Sequence, residues 1–247
     1  MKIIIFIFML GVILSGCTNK AEESNSAVNT SEMEQSKSTS AKEVSNVKVG
    51  LNQNVTEGIA IYGTSEKETG YFSSIIVEID SETKTFPWRN ITNPSFYPEL
   101  LVSNIDEDKE DEIILILATE KGTSVRQSEI YVLNRDFTEI EVTDPLDKLA
   151  DVIKWGLKKK DNTREYTISI QGKGRTFKFN EDESRSWSDE PFTGNIVRYG
   201  LHDGYIIAEI PVQVSAGHYI GNVIVRYGLV EGKIRPTNYE YQEETIL

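Results

Sequence analysis

The chain has 247 residues with 39 acidic against 26 basic side chains, a formal net charge of −13, and a single cysteine. That balance argues against a protein that coats polyanions, because the summed field repels phosphate backbones. One cysteine excludes an internal disulfide framework, so stability must come from core burial, which a domain of about 200 residues supplies by burying roughly 70% of its unfolded surface.

Met1-Lys2 opens the chain, and Ile3–Leu14 is apolar apart from Gly11. Twelve residues are too few to cross ~30 Å of hydrocarbon, which needs ~20, so residues 1–16 read as a removable signal. Leu14-Ser15-Gly16-Cys17 then resembles the bacterial lipobox: an aliphatic residue, a small residue, Gly or Ala, and Cys. The resemblance implies cleavage before Cys17, a thioether from its sulfur to diacylglycerol with palmitate-type acyl chains, and a lipid anchor on the extracytoplasmic face of the cell membrane. Two chains anchor stably where one is marginal. Without Met1–Gly16 the chain carries 25 basic and 39 acidic side chains, a net of −14. This again argues against nucleic acid and against a basic membrane-docking face.

Residues 17–48 form the lipidated N-terminus and a tether rich in Ser, Thr, Asn, Glu and Lys, with no aromatic residue. Such a composition cannot offset its ordering entropy, and as a flexible coil it reaches ~30 Å. Residues 49–247 read as a single, mainly β domain. Ile59 and Ile61 alternate with smaller residues, and Ser74–Asp80 follows Tyr71-Phe72. Glu112–Ala118 (EIILILA) is almost wholly apolar, as a strand buried on both faces would be, and Glu129–Leu133 comes next. Asp144 at an N-cap, Pro145 behind it and Leu146, Leu149, Ala150 and Ile153 at helical spacing predict one helix ending at Gly156. Tyr166, Ile168 and Ile170 alternate with polar residues, which is period two. Gly172-Lys173-Gly174, Asp203-Gly204 and Glu231-Gly232 mark hairpin turns between the later strands. The expected fold is antiparallel strands, as a sandwich, a partial propeller-like stack or an open twisted sheet, with one or two short helices.

Before the most apolar strand stands Asn104-Ile105-Asp106-Glu107-Asp108-Lys109-Glu110-Asp111-Glu112. Oxygen side chains recur at positions 1, 3, 5 and 9, a spacing from which a loop can offer a hard cation oxygens at ~2.3–2.6 Å. Over Leu101–Asn134 the chain resembles one copy of the FG-GAP/VCBS type of repeat, an acidic calcium loop feeding a strand, a glycine loop and a second strand. The resemblance implies calcium held by the side chains of Asn104, Asp106, Asp108 and Glu112 and the carbonyl of Glu110. Where that family has glycine, this chain has Glu107 and Lys109, and the other reading is a solvated acidic turn capping a strand edge. Phe86-Pro87-Trp88-Arg89-Asn90 and Tyr219-Ile220-Gly221-Asn222 also resemble segments of Gram-positive lipoproteins with one such loop, which implies a fold type and no activity.

The motifs G-x-S-x-G, H-E-x-x-H, G-x-G-x-x-G and the Walker loop are absent from the sequence. His202 and His218 lie beside turns and read as surface residues; Trp88, Trp155 and Trp187 read as packing residues. Two classes of function stay open. One is a noncatalytic binding or envelope-structural module whose partner is an envelope protein or wall polymer. The other is a wall-polymer hydrolase working through a carboxylate pair, which needs two acids ~5–10 Å apart.

Overall fold

The computed structural model describes residues 47–65, 69–105, 110–122, 125–194 and 196–243. The signal segment, Cys17 and the tether up to Asn46 lie outside the described residues. Four antiparallel meanders follow one another along the chain. The first is β1 (Val47–Asn54), β2 (Ile59–Ser65), β3 (Tyr71–Ile79) and β4 (Glu82–Phe86), with β5 (Asn90–Ile91) on the same edge of β3 as β4. Pro87 parts β4 from β5, since proline offers the ladder no N–H. The second is β6 (Glu99–Ser103), β7 (Glu112–Gly122), β8 (Val125–Leu133) and β9 (Glu139–Ile140). A single helical turn, α1 (Leu149–Val152), leads into the third: β10 (Ile153–Lys160), β11 (Thr163–Ile170) and β12 (Lys173–Asn180). In the last, β13 (Trp187–Thr193) and β14 (Arg198–His202) share one edge of β15 (Tyr205–Ser215), and β16 (His218–Val230) and β17 (Lys233–Gln242) complete the sheet.

Tight turns join the meanders internally. Asp80-Ser81, Gln171-Gly172, Asp203-Gly204 and Glu231-Gly232 each place two successive residues at positive φ, the backbone that matches strand twist in a two-residue hairpin. The expected turn at Gly172–Gly174 therefore sits one residue earlier, and Lys173 already belongs to β12.

β7 divides the interior. Ile113, Leu115 and Leu117 face a core containing Ile61, Phe72, Ile75, Val77 and Trp88. Ile114 and Ile116, on the other face, join Tyr166, Ile168, Ile210, Val223 and Val225. All five β7 side chains are no more than 1% exposed. The apolar run expected of a two-faced strand is such a strand, here within an antiparallel sheet.

The segments Phe86–Asn90 and Tyr219–Asn222 both have structural work. In the first, Trp88 is sandwiched between Phe86 and Tyr131, each with ring centroids 4.0 Å away. Its neighbour Asn90 is fully buried, donates to the carbonyls of Ile91 and Phe96, both at 2.8 Å, and accepts from the Ala118 amide at 2.7 Å. That side chain staples β5 to β7. In the second, Gly221 has φ +137°, and a Cβ there would meet the Gln242 carbonyl oxygen at 2.5 Å. Only glycine fits.

The helix expected over Asp144–Gly156 is shortened to α1. Asp144 still begins the bend, its Oδ1 accepting from the Leu146 amide at 2.8 Å. From Ile153 onward the chain is strand. Ile153, Trp155 and Leu157 pair with Ile170, Ile168 and Tyr166 of β11 and pack on the core. Eight ladder pairs outweigh the local capping signal. Gly156, expected as a helix stop, is a strand residue opposite Thr167.

The third meander is fastened by Arg164, 8% exposed. Its Nε and Nη2 donate to the two carboxylate oxygens of Glu181 at 2.5 and 3.0 Å, and its Nη1 donates to the Ser188 carbonyl at 3.2 Å. Asp189 joins through Lys159 Nζ at 2.7 Å. The Arg164 hydrogen bond holds the Glu181 carboxyl below its ordinary range, and the Lys159 hydrogen bond does the same for Asp189. A carboxyl depressed in the folded state stabilises above its unfolded pKa, roughly 4, and that contribution disappears as pH falls through the lower folded value. Chemical denaturation of Glu181→Gln and Asp189→Asn across pH should therefore find both less stable than the parent at neutrality. The three curves should converge in acid, below the carboxylate range.

Candidate functional site

The acidic loop starts where β6 ends and closes where β7 begins. Ser103 and Glu112 are register partners, so the two strands bring the loop's ends together. Glu112, 2% exposed, turns back so that its Oε2 accepts from the Ile105 amide at 2.7 Å. Glu110 and Asp111 are exposed. Asp106 and Asp108, with Glu107 and Lys109 between and beside them, lie outside the described residues.

Oxygen-only donors suit a hard cation, and Asn104, Asp106, Asp108, the Glu110 carbonyl and Glu112 would hold it. The buried Glu112 carboxylate is already engaged by the loop's own backbone, so an ion would have to share it. Among the described residues no group of three or more His, Cys, Asp or Glu side chains is placed to hold a metal.

One cleft opens beside this region and a second lies along β8 and β9. One, about 550 Å³, begins at Asn104 and Ile105 and is walled by the Asp203-Gly204 turn, Tyr205, Tyr227 and Leu229. Arg226 lies over the Tyr205 ring at 4.5 Å. The other, about 660 Å³, runs along β8 and β9 and is rimmed by Glu129, Glu139, Glu141 and Asp144. All four acids are exposed. Tyrosines form its wall. Tyr131 and Tyr199 belong to it, and Tyr227 to the wall of the first cleft; burial raises all three hydroxyls above the ordinary phenol range, so each stays protonated. Tyr131 donates to Glu129 Oε2 at 2.7 Å, and Tyr227 donates to the Thr143 carbonyl at 3.1 Å.

The other deeply buried acid among the described residues is Glu209, fully buried, whose Oε1 accepts from Arg198 Nη2 at 2.8 Å. It belongs to β15, where sequence alternation alone gives no sign of a partner on β14.

Of the two histidines expected at the surface, one is there and the other is partly enclosed. His202 is exposed beside Asp203, at 3.5 Å. His218 is half-buried, its ring against Trp187 and Phe179 and its Nδ1 2.7 Å from Ser215 Oγ. Ser215 is 1% exposed and is the register partner of His218 across a hairpin end. A nucleophile must meet substrate; this hydroxyl is enclosed, and the pair closes a turn. Trp88 is core as expected, and Trp155 and Trp187 pack on the second core.

Comparison with protein-family models, curated proteins and solved structures finds no match.

Glu112 gives a direct test of what the loop does without an ion. Because its carboxylate already holds the Ile105 amide, Glu112→Ala leaves a part-buried N–H without its acceptor, a loss of about 1–3 kcal/mol. Thermal unfolding should record that loss in chelator as well as in millimolar calcium.

Proposed function

We propose that this chain is a noncatalytic binding module, held on the extracytoplasmic face of the cell membrane by lipid on Cys17. The observation that carries the noncatalytic half is how the carboxylates are used. The buried ones, Glu112 and Glu209, are engaged by an amide and a guanidinium within the fold. The cleft acids Glu129, Glu139, Glu141 and Asp144 stand in solvent, whereas a general acid is made by enclosing a carboxyl in apolar surroundings. Among the described residues no exposed Ser or Thr hydroxyl is hydrogen-bonded to a histidine as a triad requires. What remains are open clefts with tyrosine walls, which suit reversible binding more than chemistry.

The anchoring half rests on Leu14-Ser15-Gly16-Cys17 and the short apolar run before it. Both halves are open to experiment. Cys17→Ala should release the protein from the membrane fraction or leave it as unprocessed precursor; mature, membrane-bound protein in that variant would overturn the anchor. Purified wall polymer incubated with the parent should yield no new reducing ends or free amines, and their appearance would favour the hydrolase instead.

A further inference from the structure

The net charge of the chain conceals a strong segregation. Residues 153–180, which make up the third meander, contain eight lysines and arginines and only two acids, Asp161 and Glu165. This stretch of net +6 belongs to a chain of net −13. The pleat then sorts those charges between the two faces of the sheet. Residues 164, 166, 168 and 170 of β11 are buried, while 163, 165, 167 and 169 are half-exposed toward the opposite face.

Register lays out that outer face as four rows. Lys154 aligns with Ser169 and Gly174; Gly156 with Thr167 and Thr176; Lys158 with Glu165 and Lys178; Lys160 with Thr163 and Asn180. Lys154, Lys158, Lys160 and Lys178 are all exposed. Lys178 faces Glu165 at 3.5 Å, and the three β10 lysines have no ion pair among the described residues. Same-face residues two apart on a strand lie ~6.6 Å from one another, so the three lysines run in a line of about 20 Å along β10. Behind them the glycines and short hydroxyl side chains form a low shelf; the Oγ1 atoms of Thr167 and Thr176 are 3.1 Å apart.

We propose that this outer face of the β10–β12 sheet binds a flexible linear polyanion of phosphate or phosphodiester type, laid along Lys154, Lys158 and Lys160 with the threonine shelf beneath it. Lysine is a point-charge partner for phosphate oxygens, and hydroxyls can donate to those that the lysines leave free. The face's composition selects among anionic partners. It presents no aromatic or aliphatic side chain outward, so it lacks the apolar insertion that supports an interfacial membrane site. It equally lacks the aromatic platform on which single-stranded nucleic acid stacks its bases. The acidity of the remaining chain confines such a polymer to this one face. The proposal concerns the β10–β12 sheet alone and does not depend on the anchor at Cys17.

The test uses the full chain in non-ionic detergent, titrated into fluorescently labelled long-chain polyphosphate and followed by anisotropy. The parent should bind, with affinity falling as salt rises, because each phosphate contact releases counterions. Lys154→Glu/Lys158→Glu/Lys160→Glu should weaken binding at least tenfold and flatten the salt dependence, with Lys→Gln at the same positions intermediate. Lys148→Glu, one exposed lysine away from the face, should change binding less than twofold, and unchanged circular dichroism will show that each variant is folded. Polyphosphate binding that is absent in the parent, or undiminished in the triple variant, overturns the proposal. So does β10-dependent binding to phosphatidylglycerol nanodiscs without binding to polyphosphate, which would make the face a membrane contact.

Discussion

Strand β7 is the constraint on which the rest of this fold rests. It carries apolar side chains on both faces, and each face closes a different core. A shift of one residue in its pairing would bring either the Glu112 carboxylate to the Ile113 position or the small Ala118 to that of Leu117, leaving a charge or a void in the first core. Removing a buried leucine or isoleucine from such a site typically costs about 2–5 kcal/mol. The register so fixed sets its surroundings. It places Glu112 where its carboxylate reaches the Ile105 amide and places the Ala118 amide against Asn90.

Much of this was legible in the sequence, and for a physical reason. A run such as Ile113–Ala118 can satisfy its surfaces only by burial on both sides, and a pair such as Asp203-Gly204 can supply two positive φ values cheaply. Local chemistry decided those elements. The Asp144–Gly156 segment was decided elsewhere. Its capping signals are real, and Asp144 still starts a bend, but Ile153, Trp155 and Leu157 gain more from pairing with a strand that lies beyond the next turn. Propensity within a window cannot see that competition.

The site residues divide along the same line. The acidic loop was visible because its oxygen side chains lie within nine consecutive residues. The Arg164–Glu181 and Arg198–Glu209 pairs were not visible, since they join residues 17 and 11 positions apart, the first across the end of β12 and the second through the β14–β15 register. The cationic face was hidden for a further reason: a whole-chain charge of −13 averages over it. Only once β10, β11 and β12 are aligned do Lys154, Lys158, Lys160 and Lys178 become one surface. Charge is thus sorted in this molecule, with acids rimming the β8–β9 cleft and lysines gathered on the β10–β12 sheet.

The claim that β7 fuses both cores into one cooperative unit can be tested by hydrogen exchange on Leu115→Ala, a change confined to the first core. The slowest amides of β3, in that core, and of β16, in the other, report the free energy of opening each region. If β7 couples them, both sets lose protection by the same amount. Loss in β3 with β16 unchanged would mean that the two cores open independently, and β7 would then be a shared wall without being a shared constraint.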